Sequence, residues 1–113
     1  MARFERFDAD QVVRFELEGR LDSASVEQIE APLTASLRDG TGNVMLDLRN
    51  VPFVGSLGIR MLVSAARAIQ RQGRTLVLLG VQPQVLEVFD TVALGDLIPI
   101  AANQDEAAQL LAG

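Results

Sequence analysis

A chain of 113 residues with no cysteine and no histidine lacks the side chains that most metal sites and general bases use. Its net charge of −5, from 10 basic and 15 acidic residues, argues against nucleic acid as the main partner. No stretch approaches the ~20 apolar residues of a membrane span, and the chain opens without an apolar signal core. We therefore expect a cytoplasmic protein without membrane insertion, folded as one domain over residues 1–113, with an aliphatic core and with neither metal nor cofactor.

The first segment of the chain predicts a β-hairpin. Residues 3–7 indicate a short strand and residues 8–10 a turn. Residues 12–18 alternate apolar and polar side chains, which is the period of two that a half-buried strand requires. The short connection between these two strands favours antiparallel pairing.

The next segment predicts a helix that ends near Arg38. Asp22 or Ser23 is suited to cap it, and apolar residues then recur at steps of three and four. Pro32 conflicts with this pattern because it removes a backbone donor, so we expect the helix to kink or restart there. Gly40 is a typical stop signal after the last helical turn.

A buried strand that leads directly into a helix occupies the centre of the chain. The strand is the apolar run Val44-Met45-Leu46-Asp47-Leu48, for which we expect burial on both faces. The junction is Gly55-Ser56-Leu57-Gly58, and a helical stripe of apolar residues follows. Asp47 is expected to form local hydrogen bonds at the strand end, since no histidine or second acid accompanies it in a catalytic cluster.

The remaining residues predict two further strands and two further helices. Residues 74–79 indicate a buried strand, Pro83 the first turn of a helix, and residues 97–100 a short edge strand. Asn103 followed by Glu106 is a variant capping box for the last helix. The order β-β-α-β-α-β-α-β-α predicts an α/β fold with a mixed, mostly parallel sheet.

In such a sheet the working surface lies beyond the carboxyl ends of the strands. Three segments of the chain belong to that edge, namely residues 21–23, 53–58 and 80–83. We therefore expect these segments to form one surface, with Val54, Leu57 and Ile59 partly exposed around the junction; for Ile59, a position facing the core is the preferred alternative.

The sequence resembles the STAS domain, which is the fold of bacterial anti-sigma-factor antagonists and of sulphate-transporter tails. The resemblance covers nearly the whole chain and rests on an ordered set of short motifs. These are Gly19-Arg20-Leu21-Asp22, Leu46-Asp47-Leu48-Arg49-Asn50-Val51-Pro52-Phe53, Ser56-Leu57-Gly58-Ile59, Gly73-Arg74-Thr75-Leu76, Pro83 with Val85-Leu86-Glu87-Val88-Phe89, and Ala93-Leu94 with Leu97.

The resemblance implies a regulatory protein-binding module whose partner is an anti-sigma factor that is also a serine kinase. In the family the helix opens with Asp-Ser-Ser/Thr-Gly, and the serine after the aspartate is phosphorylated, so Ser56 is the implied phosphoacceptor. This chain departs from the motif at Gly55, in place of the aspartate, and at Leu57, in place of a second hydroxyl residue. These departures keep a second function open, a non-phosphorylated STAS subunit of a larger assembly such as a lipid-transport ATPase or a signalling complex.

The residues themselves leave the role of Ser56 open. A helix start favours a phosphate by about 0.3–1 kcal/mol at an exposed site, and Arg60 lies one turn on, where its guanidinium can pair with the added charge. Alternatively, Ser56 is simply the helix cap. An enzyme is not expected, because Ser56 has no histidine or lysine to serve as its base.

Seven residues complete the predicted partner surface: Asp22, Ser23, Val54, Gly55, Leu57, Gly58 and Arg60. Each also has a structural explanation. Asp22 is suited to capping, and Gly55 and Gly58 suit a tight turn or close helix–sheet packing as well as the approach of a partner backbone. Arg60 is equally compatible with an ordinary solvated helix face.

Overall fold

The computed structural model describes residues 2–9 and 11–112, so Asp10, which is part of the predicted turn, lies outside the described residues. The elements are β1 (Arg3–Ala9), β2 (Val12–Glu18), α1 (Ser23–Arg38), β3 (Asn43–Asn50), α2 (Ser56–Arg71), β4 (Leu76–Leu79), α3 (Pro83–Thr91), β5 (Ile100–Ala101) and α4 (Gln104–Ala112), with a 3₁₀ turn at Leu94–Asp96 between α3 and β5. This order confirms the predicted one.

The five described strands form one sheet in the order β1-β2-β3-β4-β5. β1 pairs with β2 antiparallel, and every later pair is parallel. The mixed, mostly parallel sheet with an opening hairpin is therefore confirmed. Because β2, β3 and β4 point the same way, the segments that follow them emerge at a common edge.

Helices cover the two faces of the sheet unequally. The main core lies between one face and the apolar stripes of α1, α2 and α3, represented by Leu33, Leu62 and Phe89. A smaller cluster on the other face brings Ala107 of α4 against Met45 and Val77. Residues 44–48 of β3 and all of β4 are consequently buried, as the run around Val44, apolar except for Asp47, predicts.

Several elements differ from the sequence predictions, among them β4, which is Leu76–Leu79 and not residues 74–79. β1 runs on to Ala9, because Asp8 and Ala9 pair with the first residues of β2, and Gln11 turns the chain with a φ of 61°. α1 passes through Pro32 without a break, and this proline is exposed. The last strand is Ile100–Ala101 and not residues 97–100, because the register with Leu78 and Leu79 is set at those two residues.

Two arginines close the C-terminal end of α1. Arg74 donates to the carbonyl oxygens of Leu37 at 2.9 Å and Gly42 at 2.6 Å, and Arg6 donates to those of Ser36 at 2.7 Å and Asp39 at 2.8 Å. Burial, and to a smaller extent the charge of Arg6, lowers the pKa of Arg74. The carbonyls of Ser36 and Leu37, which lie in the last turn of α1 and have no partner inside the helix, are satisfied in this way.

No helix within residues 2–9 and 11–112 combines the length and the apolar character needed to cross a bilayer.

Candidate functional site

The first two of the three predicted surface segments are joined directly by backbone hydrogen bonds. Leu21 and Val54 form a parallel bridge, in which the Leu21 amide donates to the Phe53 carbonyl at 2.8 Å and the Gly55 amide donates to the Leu21 carbonyl at 3.0 Å. The start of α1 is thereby fixed beside the start of α2. The junction around Ser56 is a two-segment platform and not an isolated loop.

The third segment reaches this edge through Arg49, at the end of β3. Gln82 donates its side-chain amide to the Arg49 carbonyl at 2.8 Å. The Arg49 side chain in turn donates three hydrogen bonds to the carboxylate of buried Asp47, the shortest at 2.6 Å, and its backbone amide donates a fourth at 3.0 Å. The expected local hydrogen bonds of Asp47 are confirmed. Its buried carboxylate stabilises the fold by binding Arg49.

Ser56 is the first residue of α2 and is exposed. The helix cap is Gly55, whose backbone is extended (φ −87°, ψ −178°) and whose carbonyl accepts the first helical hydrogen bond, from the Ile59 amide at 3.0 Å. The alternative in which Ser56 caps the helix is therefore wrong. All residues in the first turn of α2 are described, and none of them is acidic. No negative side chain in that turn therefore compensates the positive end of the helix dipole.

Asp22 caps α1. Its carboxylate accepts a hydrogen bond from the Ser25 amide at 2.9 Å, which lowers the pKa of Asp22. Ser23, the first residue of α1, is exposed beside it. The structural explanation for Asp22 is thus confirmed, and its half-exposed carboxylate still lies on the candidate surface.

Val54 and Gly58 are buried beneath the surface. The expectation that Val54 is partly exposed is wrong, because its side chain is 4% exposed and packs against α2. A Cβ on Gly58 would lie 2.8 Å from Cγ1 of Val54 and 2.9 Å from the Leu21 carbonyl oxygen. Gly58 is therefore required for close packing, whereas Leu57, at 37% exposed, and Arg60 face solvent.

Sequence reasoning missed a stacked pair at this surface. The guanidinium of Arg20 lies 4.3 Å from the centroid of the Phe53 ring, and both residues are exposed. The ring edge is 3.4 Å from the position that a Cβ of Gly55 would take, so the pair borders the Ser56 junction. The signal was present in the motifs around Arg20 and Phe53, but their contact depends on the Leu21–Val54 bridge.

The candidate surface combines exposed arginine, aromatic and aliphatic side chains. Within the described residues, neither Arg20 nor Arg60 has a carboxylate oxygen within 4.0 Å. Aromatic and arginine side chains of this kind dominate the binding energy of many protein interfaces. The described residues contain no group of three or more acidic side chains placed to hold a metal ion.

Comparison with known proteins assigns the chain to a family. The family model of the STAS domain matches residues 7–107. The chain is 34% identical over 92 residues to BtrV of Bordetella bronchiseptica, named as an anti-sigma factor antagonist, with coverage of 81% of this chain and 79% of that protein. It is 29% identical to the anti-sigma-B factor antagonist of Staphylococcus aureus, with coverage of 80% and 84%.

Among solved structures, an anti-sigma-factor antagonist (STAS) domain protein from Planctomyces limnophilus superposes with a TM-score of 0.85. The two chains are 27% identical, and the match covers 98% of each. The protein belongs to the STAS domain family, and its relatives by sequence are anti-sigma factor antagonists. The resemblance drawn from the motifs is thereby confirmed.

Proposed function

We propose that this protein is a cytoplasmic anti-sigma factor antagonist that binds an anti-sigma factor through the surface around Ser56, and that phosphorylation of Ser56 breaks the complex. The observation that carries the proposal is the exposed Ser56 hydroxyl, which is not used as a cap, at the uncompensated N-terminus of α2. The names of the relatives support the partner class.

The proposed switch is electrostatic. An anti-sigma factor with serine kinase activity would transfer the γ-phosphoryl group of ATP to the Ser56 oxygen, with loss of the hydroxyl proton and release of ADP. The product adds about −1.5 to −2 charges at a surface built around a neutral hydroxyl and exposed apolar groups. Arg60, one turn along α2, would pair with this charge and cease to be available to the partner.

The residues proposed to contact the partner are Asp22, Ser23, Gly55, Leu57 and Arg60, together with the newly found pair Arg20 and Phe53. Val54 and Gly58 would act from beneath by shaping the platform, because both are buried. The partner-facing apolar groups would then be the ring of Phe53 and the side chain of Leu57.

A second function rests on a specific observation, the absence of any side chain at Gly55. In this alternative the same surface binds its partner constitutively, as a STAS subunit of a larger assembly, and Ser56 is never modified. The two functions share an interface and differ in whether a phosphate reaches Ser56.

The deciding experiment is intact-mass analysis of the protein recovered from its host, with fragmentation to locate any phosphate. We expect a fraction carrying one phosphate on Ser56. Ser56→Glu should weaken binding of the captured anti-sigma factor at least tenfold, whereas Ser64→Glu, which adds the same charge to an exposed position farther along α2, should change it less than twofold. Unmodified Ser56 together with full binding by Ser56→Glu would favour the constitutive subunit.

The surface itself is tested by a matched pair of leucines. Leu57→Ala removes an exposed side chain of α2 at the candidate surface, and Leu110→Ala removes an exposed one from α4. We expect at least a fivefold loss of partner affinity for the first and less than twofold for the second. Equal effects in the two variants would place the interface elsewhere on the protein.

A further inference from the structure

A groove between α1 and α2 concentrates positive charge on an acidic protein. Its volume is about 340 Å³, and it is lined by Glu30, Thr34 and Arg38 of α1 and by Ser64, Arg67, Ala68 and Arg71 of α2. The α1 residues are four positions apart, and those of α2 are related by steps of three and four, so on each helix they form one face. Three arginines therefore border a cavity that contains a single carboxylate.

The three groove arginines are not used in ion pairs. Within the described residues, no carboxylate oxygen lies within 4.0 Å of Arg38, Arg67 or Arg71. Arg38 and Arg71 lie in the last turns of their helices, where a positive charge stabilises the dipole. That stabilisation does not explain Arg67, nor why all three side chains border the same cavity.

The chemistry of the lining selects a class of ligand. Guanidinium groups match phosphate oxygens with paired hydrogen bonds, and the hydroxyls of Thr34 and Ser64 add further donors. The volume is at the small end of the range for small-molecule sites. The groove is positive, whereas the whole chain has a net charge of −5. A long polyanion would therefore also contact acidic parts of the surface and be repelled there, but a compact anion would contact the groove alone.

We propose that the α1–α2 groove binds a compact anion carrying two phosphate groups, held by Arg38, Arg67 and Arg71. The inference does not rest on the proposed function, because Arg67 is 11 residues beyond Ser56, about 17 Å along α2. The same diphosphate chemistry is offered by a soluble ligand and, as clustered phosphate headgroups, by an anionic lipid surface.

The test uses inorganic diphosphate as the probe, titrated into the full chain by calorimetry and by amide chemical-shift mapping. We expect binding that shifts the amides of Thr34, Ser64 and Ala68 and that weakens as salt is added. Arg67→Gln should weaken binding at least tenfold, and the triple variant of Arg38, Arg67 and Arg71 to Gln should abolish it. Arg3→Gln, which removes an equal charge from β1, should leave the affinity within twofold of wild type.

One further variant is expected to strengthen binding of diphosphate and not to weaken it. Glu30→Gln removes the one carboxylate of the groove and should tighten diphosphate binding severalfold, which a general loss of structure cannot imitate. Arg67→Lys keeps the charge but not the paired geometry and should give an intermediate loss. The proposal is overturned if neither diphosphate nor vesicles containing phosphatidic acid bind, or if Arg3→Gln weakens binding as much as Arg67→Gln does.

The vesicle measurement distinguishes the two sources of the ligand. Binding to phosphatidic acid vesicles that is lost in the triple variant, with only weak binding of free diphosphate, assigns the groove to a lipid headgroup. Binding of free diphosphate without vesicle binding assigns it to a soluble ligand. Either result supports the groove as a phosphate site, and each is independent of whether Ser56→Glu affects the anti-sigma factor.

Discussion

Two pairs of arginines, one at each end of the parallel sheet, have opposite roles. Where α1 finishes and β3 and β4 begin, Arg6 and Arg74 donate to backbone carbonyls and are held inside the fold. At the carboxyl ends of the strands, Arg20 and Arg60 are exposed, and within the described residues no carboxylate neutralises them. The first two arginines therefore stabilise the fold, while Arg20 and Arg60 remain available for a partner.

The largest effect is expected at the stabilising end. Arg74→Ala leaves the carbonyls of Leu37 and Gly42 without their donor in a buried position and should lower the free energy of unfolding by about 2–3 kcal/mol. The matched variant Arg60→Ala, at the other end, should change it by less than about 0.5 kcal/mol. Urea denaturation measures both values, and equal losses would contradict the comparison between the two ends.

The next largest effect is expected at Gly80, which packs against Arg49 at the edge of the candidate surface. Gly80 follows β4 with a φ of +68°, and a Cβ there would lie 2.3 Å from Cγ of Arg49. Gly80→Ala combines backbone strain with displacement of Arg49 from Asp47 and should cost about 2 kcal/mol. Thermal unfolding would show this loss, and Gly73→Ala, which has the same backbone strain but open space around its Cβ, should lose less.

A smaller effect separates the two glycines at the junction. Gly58→Ala would place a methyl group 2.8 Å from Val54 and should cost about 1 kcal/mol, although alanine normally stabilises a helix relative to glycine. Gly55→Ser gives the helix a capping side chain and should stabilise by a few tenths of a kcal/mol. Chemical denaturation of both variants checks the signs, and stabilisation by Gly58→Ala would show that this packing is loose.

The smallest effect is a pH dependence at Asp22. The Ser25 amide lowers the pKa of Asp22 in the folded state, so the stabilisation is fully present above the unfolded pKa of about 3.9 and is lost as the pH falls through the folded pKa. Asp22→Asn keeps the cap but does not titrate. The difference in melting temperature between wild type and Asp22→Asn should therefore shrink below about pH 4, and parallel curves would contradict this account.

Most of the fold was predictable because local patterns determine it. The apolar run around Val44 and the helical stripes of α1 and α2 fix the type and order of the elements without knowledge of their neighbours. The last strand was misplaced because Leu97 and Ile100 are equally apolar in the sequence. In the structure Ile100 pairs with Leu78 of β4, whereas Leu97 follows the 3₁₀ turn and is 52% exposed.

The chain segments that form the candidate site were predictable, but which of their side chains are buried and which contact each other was not. Asp22, Ser56 and Leu57 lie where the topology requires, at the carboxyl ends of parallel strands. The burial of Val54 and the stacking of Arg20 on Phe53 both follow from the Leu21–Val54 bridge, a contact between residues 33 positions apart. Side-chain periodicity carries no information about such a contact.

The order of the strands in the sheet is the same as their order in the chain. Each new strand can therefore be added to the edge left by the previous one, and no strand has to be inserted between two that have already paired. During synthesis, β1, β2 and β3 can assemble with α1 before the last third of the chain has emerged from the ribosome. The Leu21–Val54 bridge can close at that stage, so the base of the Ser56 platform can form early, and β4 and β5 then extend a sheet in which three strands are already paired.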